Sequence, residues 1–293
     1  MDDTDYAFGR SRAEYDRLIE QAELIGPLTE RMLLAAGVSR GMRVLDVGCG
    51  VGDVSFLVAG LVGPEGSVVG VDLDAEALKL AEERRNAKRI NNIEFHQSDA
   101  RSGDSGLLFD AAVGRFVLLF MTDPAEGLRQ IGQRVRPGGL VAFHEPDARV
   151  RIAPNHPVLA GLLDLFAQTF ARTGARVEIG AELYRWMRDA GLKPNPRPLA
   201  EIPVLMGNGE VAYRRWTLFA RSLLPRIVKH GLATERDVLD MLEQLRNELI
   251  PAHDLIPLNW LLIGQWAHKP GSLCGPRRSN KKDPGTAFSL TGT

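Results

Sequence analysis

Val44-Leu45-Asp46-Val47-Gly48-Cys49-Gly50-Val51-Gly52-Asp53 decides the fold. An apolar run with one internal carboxylate, Asp46, breaks into alternate glycines, and Val54-Ser55-Phe56-Leu57-Val58-Ala59 then carries the apolar density of a packed helix. Such a run reads as a buried strand that delivers the chain into a tight loop. Strand, glycine loop and helix together build a nucleotide-binding turn, because missing Cβ atoms let backbone approach a ligand and permit the backbone angles the turn needs. A dinucleotide fingerprint, Gly-x-Gly-x-x-Gly, would place its third glycine at position 53, which is Asp53. The glycines fall instead at 48, 50 and 52. An ordinary strand-to-helix turn can carry such a triplet, so the spacing of the strands and acids downstream decides.

Gly63-Pro64-Glu65-Gly66 turns the chain into a second buried strand, Ser67-Val68-Val69-Gly70-Val71-Asp72. An acid closing that strand about 20 residues beyond the loop is placed to accept both hydroxyls of an adenosine ribose. Asp74, two residues on, suits the cap of the next helix, Ala75 to Arg89. Asn92 to Ala100 reads as a third strand, with His96 a structural histidine in it, and Phe109 to Leu119 as a fourth. Asp123-Pro124 opens a helix with an acid cap and proline at its first position. Pro137-Gly138-Gly139 stops that helix ahead of an apolar strand ending at His144-Glu145.

These features, in this order over residues 41 to 145, resemble class I S-adenosylmethionine-dependent methyltransferases, most closely the small-molecule branch that includes the ubiquinone and menaquinone C-methyltransferases and natural-product methyltransferases. The resemblance implies an α/β fold: a Rossmann-like seven-stranded sheet of order 3-2-1-4-5-7-6 with helices on both faces, an N-terminal helical cap and helical insertions in the C-terminal half. It implies S-adenosyl-L-methionine as cofactor and S-adenosyl-L-homocysteine as product. It carries Asp46, Gly48, Gly50 and Gly52 into the cofactor loop, and Asp72 with Leu73 to the ribose. Asp99 matches the acid that accepts from the adenine amino group, and the Ala100 N–H the donor to a ring nitrogen. Carbonyls near Gly114 to Phe116 would face the methionyl amine. Arg115 is either a ligand of the cofactor carboxylate or a solvated strand-end charge.

The flanks carry less of this pattern. Ser11 to Ile25 has helical spacing, Gly26-Pro27 is expected to break it, and a short helix from Leu28 to Ala36 comes next. These helices read as an amphipathic layer on the sheet or, by the resemblance, as a lid whose leading strip offers Tyr6 and Arg10 to the cofactor. In the second half, helices are expected over 156 to 172, 181 to 190, 210 to 230 interrupted at Pro225, and after Thr234. A sixth strand is expected over Leu199 to Met206, and a seventh, antiparallel, over Leu258 to Trp266. All four tryptophans lie here, which fits a flat apolar substrate and fits packing equally. The expected division is a cap over 1–40, a cofactor-binding core over 41–150, substrate-side helices and sheet completion over 151–269, and a disordered tail over 270–293.

Composition bounds the partners. Among 293 residues, 36 Lys and Arg against 37 Asp and Glu give a net charge of −1, which speaks against a polyanion and hence against nucleic acid. No apolar stretch approaches a membrane span, and the acidic opening is unlike a secretory signal. Cys49 and Cys274 are too few for a disulfide framework, so a cytoplasmic home is expected. No histidine stands at metal-ligand spacing from another ligand type. The partner is a small molecule, and a homo-oligomer is left open.

Methyl transfer from a sulfonium is an in-line displacement whose leaving group arrives activated, so proximity in a dry site does most of the work. A base is needed only when the acceptor arrives protonated. His144 and Glu145 end the fifth strand at the ligand-binding edge and are the candidates, and side-chain alternation lets only one face the pocket. Two other readings compete: a cofactor-binding protein without turnover, and a nicotinamide-dependent oxidoreductase, against which Asp53 and the Pro137-Gly138-Gly139 phrase count.

Overall fold

The structure, a computed structural model, describes residues 12–101, 108–150 and 155–271. Tyr6 and Arg10, and nearly all of the expected tail, lie outside the described residues. Helix α1 (Arg12–Ala36) leads into strand β1 (Arg43–Val47), α2 (Asp53–Val62), β2 (Ser67–Asp72), α3 (Ala75–Lys88), β3 (Ile93–Gln97) and β4 (Phe109–Arg115). After a 3-10 turn at Leu118–Phe120 come α4 (Pro124–Gln133), β5 (Val135–Asp147), α5 (Pro157–Arg172), α6 (Leu183–Asp189), β6 (Lys193–Pro194), β7 (Leu199–Glu201) and β8 (Val204–Met206). The chain closes with α7 (Gly209–Lys229), α8 (Glu235–Leu249), β9 (Leu255–Pro257) and β10 (Leu261–His268).

The main sheet runs in the order β3-β2-β1-β4-β5-β10-β6, with β7 also paired to β10. Strands β1 to β5 pair in parallel, whereas β10 runs antiparallel to β5, β6 and β7. This is the expected Rossmann-like order, with β10 in the seventh place and β6 and β7 sharing the sixth. Alternation along the strands feeds two cores. Val44, Val68, Ala111, Val113, Leu140 and Ala142 pack with Met32 and Leu33 of α1 and Val54 and Val58 of α2. Leu45, Val69, Ala112, Val141 and Phe143 face the other way, toward α4, α5 and α7. A sheet buried on both faces needs apolar residues at both parities, which is why these strands read as continuous hydrophobic runs.

Helix starts obey the local chemistry. Asp74 accepts from the Glu76 and Ala77 N–H groups at the head of α3, Asp123 from Glu126 N–H at the head of α4, and Thr234 with Asp237 forms a capping box on α8.

Several expected breaks are absent or displaced. Gly26-Pro27 does not split α1, and α7 passes through Pro225. Proline removes one helical hydrogen bond and costs about 3 kcal/mol. Burial of Ile25, Met32 and Leu33, and of Leu223 and Ile227, outweighs it. Leu199 to Met206 is two strands, since Pro203 cannot donate to a ladder: β7 joins β10, while β8 pairs with β9 in a separate two-stranded sheet. Pro137-Gly138-Gly139 does not end a helix. α4 stops at Gln133, and the triplet forms a bulge inside β5, where the register steps from Phe109↔Val135 to Ala111↔Leu140. The fourth strand stops at Arg115 because Phe116 takes a left-handed φ of 58°.

Pro225 is exposed in the middle of α7. Pro225→Ala is therefore expected to raise unfolding free energy by about 1–3 kcal/mol in urea titrations. A loss of stability would mean that the packing of Leu223 and Ile227 depends on the proline.

Candidate active site

The glycine loop between β1 and α2 adopts the conformations that glycine alone takes readily: φ is 64° at Gly48, 51° at Gly50 and 91° at Gly52. At Gly48 a Cβ would lie 2.6 Å from a Val117 methyl carbon, so this glycine also lets the turn after β4 close against the loop. Asp72, ending β2, binds the loop from the neighbouring strand. Its Oδ2 accepts from Gly50 N at 2.7 Å and its Oδ1 from Asp74 N at 2.9 Å. One donor on each oxygen fixes the carboxylate and leaves each oxygen acceptor capacity for a second partner. Burial raises the Asp72 pKa, and those backbone donors pull it back.

A cavity of about 510 Å³ opens above this loop, within the range of small-molecule sites. One half is walled by Gly48, Cys49, Gly50, Asp72, Leu73 and Asp99 with Ala100, at the carboxyl ends of β1, β2 and β3. Asp99 is held by Arg101, whose Nε lies 2.9 Å from Oδ1 and whose Nη2 lies 2.6 Å from Oδ2; that guanidinium is the leading cause of the acid's lowered pKa. Asp53, where a dinucleotide site needs glycine, opens α2, pairs with Arg84 at 2.7 Å and also lines the cavity. The Asp46 side chain stands behind the loop rather than on the wall. It accepts from the Ser55 hydroxyl at 2.6 Å, and burial pushes its pKa up to about 7.

The other half is aromatic: Phe116, Phe120, Phe170, Phe219 and Trp260, with Val177. Of the four tryptophans, Trp260 reaches the wall, while Trp216 stacks on Phe166 and donates to the Pro257 carbonyl in the core. Helix α1 closes the cavity with Tyr15, Arg17, Leu18 and Gln21, and the Tyr15 hydroxyl donates to Asp74 Oδ2 at 2.8 Å. The helix thus forms one wall of the cavity.

Arg115 faces the cavity from the end of β4, half-buried, and Nη1 donates to Thr29 Oγ1 at 3.2 Å. His144 and Glu145 are not on the wall. His144 lies behind Arg115 under α1, its Nδ1 3.1 Å from Thr29 Oγ1, and burial next to that cation pushes its pKa down to about 3. Glu145 points to the opposite face, as alternation requires. Its Oε1 accepts from Val117 N and Leu118 N, both at 2.9 Å, and burial pushes its pKa up to about 8. Glu145 therefore holds the turn that carries Phe116 and Val117. Tyr15, Arg17, Gln21, Arg101, Phe120, Phe219 and Asn259 were not singled out as wall residues by the sequence reading; only the short Asp99-to-Arg101 spacing could have signalled one of them.

A family described as a methyltransferase domain matches residues 38–191, just over half of the chain. The chain belongs to this methyltransferase family. The aklanonic acid methyltransferase of Streptomyces sp. (strain C5) is 31% identical over 152 residues, 52% of this chain and 68% of that protein. The ubiquinone/menaquinone biosynthesis C-methyltransferase of Ectopseudomonas mendocina (strain ymp) is 30% identical over 188 residues, 62% and 71% of the two chains. In fold, the chain matches the geranyl diphosphate C-methyltransferase of Streptomyces coelicolor A3(2), crystallised with S-adenosyl-L-homocysteine, with a TM-score of 0.51 at 15% identity over 90% of this chain and 87% of that one. The methyltransferase uses S-adenosylmethionine, and the nicotinamide reading is set aside. No described helix is long and apolar enough to cross a membrane.

Proposed function

We propose that this methyltransferase alkylates a flat, largely apolar aromatic metabolite whose accepting atom enters already ionised or otherwise nucleophilic. The observation that carries this reading is the division of one cavity into a polar half with four acids and an aromatic half whose wall, among the described residues, holds neither carboxylate nor histidine. The acids Asp53, Asp72, Asp74 and Asp99 all belong to the half built on the strand ends. Relatives acting on aklanonic acid and in quinone biosynthesis support a cyclic acceptor.

The polar half suits the cofactor. Asp72, with free acceptor capacity on both oxygens, would take the ribose hydroxyls; Asp99 and Ala100 would meet the adenine; the backbone of Gly48, Gly50 and Gly52 would pass under the sulfur-bearing arm; and Arg115, on the same wall, would face its carboxylate. S-adenosylmethionine supplies an electrophilic methyl group on a good leaving group. The chain's own contribution is to fix the acceptor in line with it and to exclude water. Tyr15 tied to Asp74 holds α1 over the polar half, and Phe116, Phe170, Phe219 and Trp260 line the half in which an aromatic acceptor would pack. His144 and Glu145, away from the wall, orient Arg115 and the Phe116 turn rather than moving a proton.

In this reading 1–40 is the cap, 41–150 the cofactor core and 151–269 the substrate side, and the protein works in the cytoplasm. Incubation with methyl-labelled S-adenosylmethionine and a panel of phenols, aromatic acids, amines and hydroxyquinones tests it. Label is expected on fused-ring oxygen or carbon acceptors. Transfer confined to aliphatic amines would overturn it.

A further inference from the structure

At the junction of α1 and α7, next to the aromatic half of the cavity, four buried polar side chains form one cluster. Arg17 makes a bidentate pair with Glu14, Nε to Oε2 at 2.7 Å and Nη2 to Oε1 at 2.6 Å. Arg17 Nη1 also donates to Gln21 Oε1 at 2.7 Å, and Arg215 Nη2 donates to the same oxygen at 3.1 Å. Relative exposures are 1% for Glu14, 2% for Arg17, 5% for Gln21 and 3% for Arg215. Both guanidinium groups also lie against the Phe219 ring, at 5.3 and 5.5 Å from its centroid.

The chemistry of these groups has two consequences. Guanidinium only donates, so the atom of Gln21 shared by two of them must be the carbonyl oxygen, and the amide NH2 is the end left over. Gln21 is on the cavity wall, and its Nε2 has no partner among the described residues. Asn259, 7% exposed and also on the wall, repeats the pattern: its Oδ1 accepts from Trp260 N at 2.8 Å, leaving its NH2 as the free end. Second, among the described residues the two cations share the cluster with one buried anion, Glu14, while Glu20 acts on Arg215 from outside it, and Arg215 Nε and Nη1 are buried without a hydrogen-bond partner. A buried guanidinium left incompletely paired is destabilising, so a negative charge brought near Arg215 is favoured. Burial, with Arg17 next, pushes the Arg215 pKa down to about 9, still protonated at neutral pH.

We propose that two donor amides on the cavity wall, Gln21, backed by Arg17 and Arg215, and Asn259, read an anionic group on the aromatic acceptor, a carboxylate in the first instance. Gln21 and Asn259 touch the anion. Arg17 and Arg215 are positioning residues: they lock the Gln21 amide with its hydrogens outward and supply the positive field. The inference rests on the aromatic-acceptor reading above and specifies which acceptors qualify.

The test compares anthraquinone-2-carboxylate with anthraquinone-2-carboxamide, titrated calorimetrically into the protein saturated with S-adenosylhomocysteine. Wild type is expected to bind the acid at least about tenfold more tightly than the amide. Gln21→Glu keeps the shape and gives both arginines a carboxylate partner, so its melting temperature is expected to stay level or rise while the acid preference disappears and S-adenosylhomocysteine affinity holds. A residue with only a structural role would not produce that combination. Arg215→Met, which removes the unpaired charge, is expected to lose the preference in the same direction, and it serves as the readout should Gln21→Glu not fold. Equal binding of acid and amide by wild type, or an undiminished preference in both variants, overturns the inference. Binding of S-adenosylhomocysteine with neither aromatic probe overturns it while leaving methyl transfer intact, whereas failure to bind S-adenosylhomocysteine strikes the cofactor site itself.

Discussion

Asp72→Ala is expected to weaken S-adenosylhomocysteine binding by about 100- to 1000-fold in a calorimetric titration. Hydrogen bonds to a charged group contribute roughly 1.5–3 kcal/mol each, and two ribose hydroxyls on one carboxylate, near the lower end of that range, give about 3–4 kcal/mol. The same oxygens hold Gly50 N and Asp74 N at 2.7 and 2.9 Å, so the substitution also releases the glycine loop from β2. Asp72→Asn does not escape this: its NH2 must face one of two N–H donors, and the loop loses one anchor and the ribose one charged acceptor. The melting temperature separates the two contributions, since loss of the loop anchor lowers stability by about 1–2 kcal/mol while most of the affinity loss is ligand-specific. An affinity within threefold of wild type in both variants would remove Asp72 from the cofactor site.

The part of the molecule that the sequence made legible is the part built from local signals. Strands β1 and β2 are apolar runs ended by glycines or an acid, Asp74 and Asp123 cap helices through bonds spanning two or three residues, and the loop glycines fall where φ is positive. The proposed cofactor positions sit at strand ends, whose place relative to the loop is fixed by parallel pairing such as Asp46↔Gly70 and Val47↔Val71. Proline breaks were misplaced for the opposite reason. Whether Pro27 or Pro225 ends a helix depends on burial supplied by distant segments, and a local rule does not contain that term. The aromatic half of the cavity was illegible on the same ground. The Gln21–Arg215 contact spans 194 residues, and Asn259 and Trp260 reach the wall from the turn before β10. His144 and Glu145 lie on the expected strand but do not end it, since β5 runs on to Asp147, and alternation sends them to opposite faces. Which face carries the cavity depends on where α1 and the turn at Leu118–Phe120 settle.

Glu145 carries the second large expectation, because it is an acid buried to 0% exposure whose task is to collect backbone donors. Glu145→Ala leaves Val117 N and Leu118 N buried and unpaired, at about 1–3 kcal/mol each, and is expected to cost about 2–5 kcal/mol in urea unfolding. It also frees the turn that sets Phe116, held at φ 58° between cofactor loop and aromatic wall, so turnover is expected to fall more than S-adenosylhomocysteine affinity. Glu145→Gln keeps an acceptor oxygen for both N–H groups and isolates the charge. The folded pKa, about 8, lies above the ordinary value of 4.5, so the stability linked to this group is fully present below about pH 4.5 and is lost as pH rises through 8. Asp46, raised to about 7, loses stability in the same direction, and His144, depressed to about 3, loses it as pH falls from 6.5. Subtracting wild type from Glu145→Gln cancels Asp46 and His144, and the variant's advantage should grow by about 2–3 kcal/mol between pH 6 and pH 9. Because an amide cannot take a proton from an acceptor, retained turnover in Glu145→Gln together with that pH-dependent gain assigns Glu145 to holding the turn. A difference that stays flat with pH would mean that the acid is ionised where it lies, with its charge met by the turn's N–H groups.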